Sequence, residues 1–248
     1  MRGLILAAGR GTRMGALTAD RPKGLVQLGG RSLIARAVEA LKRGGCAEVA
    51  IVTGYRHELV APLTDTSFHN PRWAETNMVA SLQTADAWLR AGPVVVSYSD
   101  IFYSTETVTA LARCESAIAI AYDPFWRRLW EERFGDPLSD AESFRLDSHG
   151  FLTEIGRKNA SYADIEGQYM GLLKFTPQSW RQIVATIDVL PAERRDRLDM
   201  TSLLALLIRE SVRIQAVPRE GAWGECDSES DYRLYRRWFG EAQTCEAS

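Results

Sequence analysis

The chain has 248 residues with 30 basic and 32 acidic side chains, which gives a formal net charge of −2. This mixed, nearly neutral composition lacks the charge footprint of a protein that binds nucleic acid or an anionic membrane, and no apolar run approaches membrane-spanning length. The four cysteines, at positions 46, 114, 226 and 245, have neither paired nor metal-type spacing. We therefore predict a single-domain enzyme of the reducing cytoplasm that acts on a small molecule.

Residues 1–122 alternate short apolar runs with amphipathic segments, a pattern typical of βαβ units. Ser32 is a predicted helix cap, Gly44-Gly45 ends the helix that follows, and Thr76 or Asn77 caps a later one. These elements predict an α/β fold with a Rossmann-like, doubly wound, mixed but mainly parallel sheet. Strands are predicted at 2–6, 49–52, 94–97 and 117–122. Helices are predicted at 33–41 and 57–63, from the cap at Thr76 or Asn77 to residue 89, and between the strands at 94–97 and 117–122.

After Pro124 the pattern changes. Alternating segments at 142–146 and 152–155 flank Ser148-His149-Gly150, which predicts a β-hairpin that forms a small antiparallel lid. The whole chain, 1–248, is predicted to be one domain, with a nucleotide-binding half at 1–122 and a half at 123–240 that carries the lid. Further strands are predicted at 169–175, at 212–217 and just before 227, and helices after 177, at 201–210 and at 229–239.

The first predicted strand leads into Gly9-Arg10-Gly11-Thr12-Arg13, and Lys23 follows at the end of the same loop. Glycines let peptide N–H groups approach an anion without interference from a Cβ, while Arg13 and Lys23 supply positive charge. The glycine spacing misses the dinucleotide fingerprint, and no Gly-Lys-Ser/Thr of a P-loop follows. The loop is therefore predicted to bind a triphosphate; the alternative is an ordinary glycine-rich strand-to-helix turn.

Two aspartates lie where predicted strands end. Asp100 follows the strand at 94–97, at the edge where open α/β sheets bind ligands, although an aspartate there can equally be a helix cap. Asp227 ends the segment Trp223-Gly224-Glu225-Cys226-Asp227 and directly precedes a predicted helix. Both carboxylates are candidate metal ligands.

Several spaced motifs resemble the nucleotidyltransferases that activate sugar phosphates and small phosphorylated alcohols. The segment at 73–82, with Asn77 and Ser81, is similar to the phosphocholine cytidylyltransferase branch of that family. Matches at 97–101, 129–134, 136–138, 140–142, 165–172 and 200–202 resemble the phosphoglutamine cytidylyltransferases. The general motifs are Leu6-Ala7-Ala8-Gly9, Gly11-Thr12-Arg13, Pro22-Lys23, Leu28-Gly29-Gly30 and Leu33-Ile34.

This resemblance implies a nucleotide-diphospho-sugar transferase-like fold and a reaction in which CMP passes from CTP to a phosphorylated acceptor, with release of pyrophosphate. It implies that Asp100 and Asp227 hold Mg²⁺ and that Arg13, Lys23 and Lys158 are catalytic. The alternative for Asn77 is a helix cap alone. The residues that the resemblance assigns to the nucleotide are Leu6, Ala8, Gly9, Gly11, Thr12, Arg13, Lys23, Gly54, Asn77, Ser81 and Asp100.

The acceptor is predicted to be phosphoglutamine, followed by phosphocholine or an aminoalkylphosphonate. Lys158, preferred over Arg157, is assigned to its phosphate by resemblance; a solvated basic turn is the alternative. An acceptor resembling an amino acid needs an acid, a base and an amide partner, for which Arg128 or Arg133 is the candidate base. The other candidate acceptor-binding residues are Trp130, Glu166, Gln168 and Tyr169.

Two other functions remain open at this point, namely a sugar-1-phosphate nucleotidyltransferase and a catalytically silent nucleotide-binding regulatory subunit. The sequence is compatible with a homo-oligomer and does not specify one.

Overall fold

The computed structural model describes residues 1–240, so Cys245 and the end of the predicted 1–248 domain lie outside the described residues. Within the described part the strands are, in chain order, β1 (Arg2–Ala7), β2 (Gln27–Leu28), β3 (Arg31–Ser32), β4 (Glu48–Thr53), β5 (Thr66–His69), β6 (Val94–Tyr98), β7 (Ile101–Tyr103), β8 (Ile118–Asp123), β9 (Phe144–Leu146), β10 (Leu152–Ile155), β11 (Gln168–Phe175), β12 (Gln215–Pro218) and β13 (Trp223–Glu225).

The helices lie mostly between consecutive strands, as βαβ connections require. Short 3₁₀ helices occupy Thr12–Thr18, Lys23–Leu25, Ala61–Leu63, Pro137–Ser139 and Tyr162–Asp164. The α-helices are α1 (Leu33–Arg43), α2 (His57–Val60), α3 (Met78–Gln83), α4 (Asp86–Ala91), α5 (Thr105–Arg113), α6 (Trp126–Phe134), α7 (Pro177–Asp188), α8 (Ala192–Asp196), α9 (Met200–Arg209) and α10 (Glu229–Trp238).

Seven strands form one sheet in the order β12-β8-β11-β6-β1-β4-β5. β11 runs antiparallel to both of its neighbours, whereas the other neighbouring pairs are parallel. This arrangement confirms the predicted mixed, mainly parallel sheet. β1 lies between β4 and β6, and because all three are parallel, their carboxyl ends meet at one edge of the sheet.

Two apolar cores lie on opposite faces of this sheet. α1 contributes Leu33, Ile34 and Leu41 to one core, and α7 contributes Trp180 and Ile183 to the other. The side-chain hydroxyl of Ser32 accepts a hydrogen bond from the Ala35 N–H (3.2 Å), which confirms the predicted cap of α1. Packing on both faces explains why the central strands are almost continuously apolar.

The predicted hairpin is confirmed, because β9 and β10 pair antiparallel with Ile155 opposite Phe144. The prediction of one continuous helix up to residue 89 is wrong. That helix is divided into α3 and α4, because Ala85 leaves the helical conformation and the Thr84 hydroxyl donates to the Ser81 carbonyl (2.7 Å). The edge strand β5 was not predicted, since its four residues are exposed on one side and half-buried on the other.

Cys46, Cys114 and Cys226 are free thiols, and the first and last of them are buried. No helix between residues 1 and 240 combines the length and the apolar composition needed to cross a bilayer.

We expect Trp180→Ala to lower the free energy of unfolding by about 3–5 kcal/mol. The Trp180 side chain is fully buried against Phe175, and its indole N–H donates to Asp86 Oδ1 (2.9 Å). Urea denaturation measures the change, with Val189→Ala at an exposed position as the control, for which a change within about 0.5 kcal/mol is expected. Equal effects of the two substitutions would contradict the assignment of Trp180 to the core.

Candidate active site

A pocket of about 210 Å³ lies at the carboxyl ends of β1 and β6. Most of the residues predicted to bind the nucleotide line it together, although they come from separate segments of the chain. Gly54 lies directly behind it, since a Cβ at this glycine would be 2.6 Å from the Ala8 carbonyl oxygen. The exposed Thr12 does not line it, and Arg13 faces the neighbouring cleft. The predicted residues that line the pocket are Leu6, Ala8, Gly9, Gly11, Lys23, Asn77, Ser81 and Asp100.

The two glycines of the first loop have different roles. Gly11 adopts a positive φ of +77°, and a Cβ there would lie 2.6 Å from Lys23 Cβ. A side chain at this position would therefore push Lys23 away from the pocket. Gly9 has no positive φ and no atom within 4 Å of a built Cβ, so it leaves open space along the backbone where a ligand can approach.

The side chain of Lys23 lies between two carboxylates. Its Nζ is 2.5 Å from Asp100 Oδ2 and 2.5 Å from Asp227 Oδ1, while Arg13 Nη1 is 2.5 Å from Asp227 Oδ2. Burial lowers the pKa of Lys23, but the nearby Asp100, Asp227 and Glu225 carboxylates outweigh burial and hold the pKa above its ordinary value. The ammonium group therefore stays charged at neutral pH.

Pairing between β7 and β13 brings Asp100 and Asp227 together. Asp100 immediately precedes β7, and Asp227 follows β13 by two residues. The two strands are antiparallel, with Glu225 opposite Ile101, and the Cys226 N–H donates to the Asp100 carbonyl (2.8 Å). Two carboxylates 127 positions apart in the sequence thus face each other across one short ribbon.

Glu225 joins Asp100 and Asp227 as a third carboxylate. One oxygen from each of the three lies within 4.8 Å of the others. Asp100 Oδ1 is buried and accepts no hydrogen bond from the described residues, so it is available to a cation. Oxygen donors of this kind suit Mg²⁺, and the arrangement therefore fits a divalent ion. Burial and the Asp100 carboxylate raise the pKa of Glu225 well above its ordinary value.

Glu225 was not among the residues predicted to bind a metal, although its spacing from Asp227 is a signal in the sequence. Residues i and i+2 of a strand face the same side, so the Glu-Cys-Asp spacing places Glu225 beside Asp227.

A buried ion-pair network supports this cluster. Arg133 Nε donates to Asp231 Oδ1 (2.8 Å), and its Nη1 lies 3.3 Å from Glu225 Oε2. Asp231 Oδ2 in turn accepts hydrogen bonds from the backbone N–H groups of Asp227 and Ser228, each at 3.0 Å. Arg133 is therefore engaged within the protein, and Arg128 is a surface residue paired with Glu132.

A second cleft, of about 290 Å³, extends from Asp227 toward the lid. Of the residues predicted to bind the acceptor, Trp130, Gln168 and Tyr169 line this cleft, whereas the exposed Glu166 does not. The amide nitrogen of Gln168 donates to the Glu142 carbonyl (2.7 Å) and the Gly167 carbonyl (2.9 Å), which places Glu142 at the cleft wall.

Lys158 lies outside both cavities. It lines an adjacent groove of about 460 Å³, whose wall residues Glu142, Ile155 and Thr201 also line the cleft. Arg157 pairs with Glu154 at 2.8 Å on the exposed face of the lid. The tertiary structure therefore brings Arg13, Lys23, Asp100 and Asp227 together. Lys158 lies on the far side of the boundary that Glu142, Ile155 and Thr201 form between the cleft and the groove.

Comparison with known proteins identifies the family of this chain. The family model of the MobA-like NTP transferase domain matches residues 3–145. The CTP:phosphoglutamine cytidylyltransferase of Campylobacter jejuni subsp. jejuni serotype O:2 is 33% identical over 250 residues, which cover 94% of this chain and 98% of that protein.

Two solved structures share the fold. CTP:phosphocholine cytidylyltransferase from Streptococcus pneumoniae has a TM-score of 0.68 at 20% identity, with 96% of this chain and 98% of that chain covered. The inositol-1-phosphate CTP transferase from T. maritima has a TM-score of 0.75 at 16% identity, with 100% and 98% covered. These matches confirm the predicted nucleotide-diphospho-sugar transferase-like fold.

We expect Asp231→Asn to lower the free energy of unfolding by about 3–5 kcal/mol, because it removes a carboxylate from the buried Arg133. The matched control is Glu229→Gln on the same helix, whose exposed pair with Arg233 is worth at most about 1 kcal/mol. Guanidinium denaturation of both variants makes the comparison. A loss below about 1 kcal/mol for Asp231→Asn would show that Arg133 does not depend on this carboxylate.

Proposed function

We propose that this chain transfers CMP from CTP to the phosphoryl group of a small acceptor, with phosphoglutamine as the substrate. The chain belongs to the MobA-like NTP transferase family. The observation that carries the proposal is the meeting of Arg13 and Lys23 with Asp100 and Asp227 between the pocket at the ends of β1 and β6 and a second cleft. The relative that is 33% identical over nearly the whole chain bears the name of that reaction.

The chemistry requires positioning and charge neutralisation. A phosphoryl oxygen of the acceptor is already anionic at neutral pH, so it can attack the α-phosphorus of CTP without a protein general base. Arg13 and Lys23 stabilise the negative charge that develops on the α-phosphate and on the departing pyrophosphate. The loop at Gly9 and Gly11 offers backbone N–H groups to the same phosphates.

A divalent ion completes this proposal. Asp100 and Asp227, together with Glu225, would hold Mg²⁺, which supplies charge neutralisation and orientation of the phosphates when bound. Arg133 and Asp231 keep Glu225 and the Asp227 backbone in place for that role.

The cleft beside Asp227 suits an acceptor that carries a positive group. Trp130 and Tyr169 supply aromatic surface, and Asp140 and Glu142 supply negative charge. Phosphoglutamine carries an ammonium group, as aminoethylphosphonate does, and phosphocholine carries a quaternary one. A silent nucleotide-binding subunit is disfavoured because Lys23, Asp100 and Asp227 are all present and in contact.

Pyrophosphate release tests the reaction directly. We expect turnover with CTP, Mg²⁺ and phosphoglutamine, and weaker or no turnover with phosphocholine, 2-aminoethylphosphonate or glucose-1-phosphate; ATP, GTP and UTP are the nucleotide controls. Turnover that is best with a sugar-1-phosphate would replace the proposed acceptor class. Binding of CTP without turnover on any acceptor would instead support a regulatory subunit.

We expect Asp100→Asn and Asp227→Asn each to lower kcat by at least about 100-fold, because each removes an oxygen anion from the cation site. Asp65→Asn, at an exposed position away from the pockets, is the matched control. Steady-state kinetics over a Mg²⁺ titration provides the readout, and thermal melts establish that the variants fold. If either site variant keeps wild-type kcat, that residue does not belong to the cation site.

Lys23→Ala should lower kcat by about 100-fold or more, since the ammonium group is the cation nearest both aspartates. Lys42→Ala, an exposed lysine on α1, is expected to be kinetically silent. An effect on kcat below about tenfold, equivalent to roughly 1.4 kcal/mol, would exclude Lys23 from stabilising the transition state.

A further inference from the structure

The groove next to the cleft is rich in basic side chains that form few salt bridges with the protein. Lys158, Arg194 and Arg209 form no salt bridge with any residue between 1 and 240, and Arg197 pairs only at the surface, with Glu193 at 3.2 Å. We call this cavity the cationic groove, defined by Lys158, Arg194, Arg197, Arg209, Glu142 and Asp199.

The two acids of the groove differ in availability. Asp199 caps α9, since its Oδ1 accepts the Ser202 N–H at 2.7 Å. The Glu142 carboxylate accepts no hydrogen bond from the described residues, and it lines both the groove and the cleft. Burial raises the pKa of Glu142, and the Lys158 ammonium opposes that effect. The Glu142 carboxylate, which lines the cleft, thus lies beside the basic side chains of the groove.

The cleft and the groove are contiguous. Ile155 and Thr201 line both cavities, as Glu142 does, so these three side chains form the boundary between the cleft and the groove. The wall at this point is closely packed, because a Cβ at Gly156 would be 2.3 Å from Thr201 Cγ2.

The segment that carries Arg194 and Arg197 is held in place by hydrogen bonds and an ion pair from Asn77 and Arg72. The Asn77 N–H donates to the Asp196 carbonyl (2.7 Å), and the Asn77 side-chain amide donates to the Arg197 carbonyl (3.3 Å). Arg72 Nη2 also lies 2.6 Å from Asp196 Oδ2. The backbone that bears the groove arginines is therefore held in place before a ligand binds, which reduces the entropic cost of recognition.

We infer that the cationic groove binds the α-amino acid end of the acceptor, with the α-carboxylate at Arg194, Arg197 and Lys158 and the α-ammonium at Glu142. This inference rests on the proposed function and deepens it. Guanidinium groups match a carboxylate in geometry as well as charge, and a carboxylate on the cleft side of them suits an ammonium group. The acceptor then spans from its phosphoryl group near Asp227 to its amino acid group in the groove.

This arrangement assigns a different role to Lys158 from the one predicted from sequence. In the groove it recognises the carboxylate end of the acceptor, and Arg13 and Lys23 remain the cations next to Asp227. It also accounts for specificity, because phosphocholine and aminoethylphosphonate lack a carboxylate and would gain no contact with the groove cations.

The test compares phosphoglutamine with three analogues phosphorylated on the same amide. These are 4-aminobutanamide, which lacks only the carboxylate, glutaramate, which lacks only the amine, and butanamide, which lacks both. Each is measured on the wild-type protein, on the double variant Arg194→Ala/Arg197→Ala, on Glu142→Gln and on Arg181→Ala, an exposed arginine of α7 outside the groove. Calorimetric binding and pyrophosphate release are recorded separately, and thermal melts verify folding.

We expect the double variant to weaken binding of phosphoglutamine by about 10- to 100-fold and to leave binding of phosphorylated 4-aminobutanamide unchanged. Glu142→Gln should weaken binding of phosphoglutamine while leaving phosphorylated glutaramate unaffected, and Arg181→Ala should behave as wild type.

Equal binding of phosphoglutamine by the wild type and the double variant would overturn the inference. Equal binding of phosphoglutamine and phosphorylated 4-aminobutanamide by the wild type would also overturn it, and so would a wild type that does not bind phosphoglutamine at all. Because binding is measured without CTP, groove-dependent binding without pyrophosphate release would instead contradict the proposed function and leave the groove assignment supported.

Discussion

The contact of Lys23 with both Asp100 and Asp227 is the interaction on which the site depends. It joins residues from the first loop, the middle of the sheet and the C-terminal segment, each at 2.5 Å. Three neighbouring carboxylates would repel one another without positive charge between them, and removing one member of a buried ion pair is costly. The same ammonium group that holds the carboxylates together is the one that, in the proposed reaction, stabilises the phosphates of the nucleotide.

The second half of the chain supplies groups that the first half lacks. β13 pairs with β7, and its Trp223 indole N–H donates to the fully buried Asp123 at 2.8 Å, so the strand is held at both ends of the ribbon. Arg133 and Asp231 then fix the turn that carries Asp227. The site needs both halves of the chain, since residues 1–122 by themselves would contain Lys23 and Asp100 without Asp227.

Three adjoining cavities surround this centre. One pocket lies at the ends of β1 and β6, the cleft lies between Asp227 and the lid, and the cationic groove lies beyond Glu142. Asn77 connects the first to the third, because it lines the pocket and donates hydrogen bonds to the backbone carbonyls of Asp196 and Arg197. A relative with the same fold and another acceptor can keep the first cavity and change the other two.

The sequence alone determined the parts that depend on local pattern. Apolar runs that alternate with amphipathic segments specify parallel strands, and glycines between the first strand and Lys23 predict a phosphate-binding loop at that strand end. The strand-end rule also selected Asp100. Only the tertiary structure decided that Glu225 joins Asp100 and Asp227 and that Arg133 forms ion pairs with Asp231 and Glu225. It also decided that Lys158 lines a separate groove. Periodicity reports how each residue is buried within its own element, whereas these contacts depend on strand order and on pairing between residues about 100 positions apart, which no local pattern encodes.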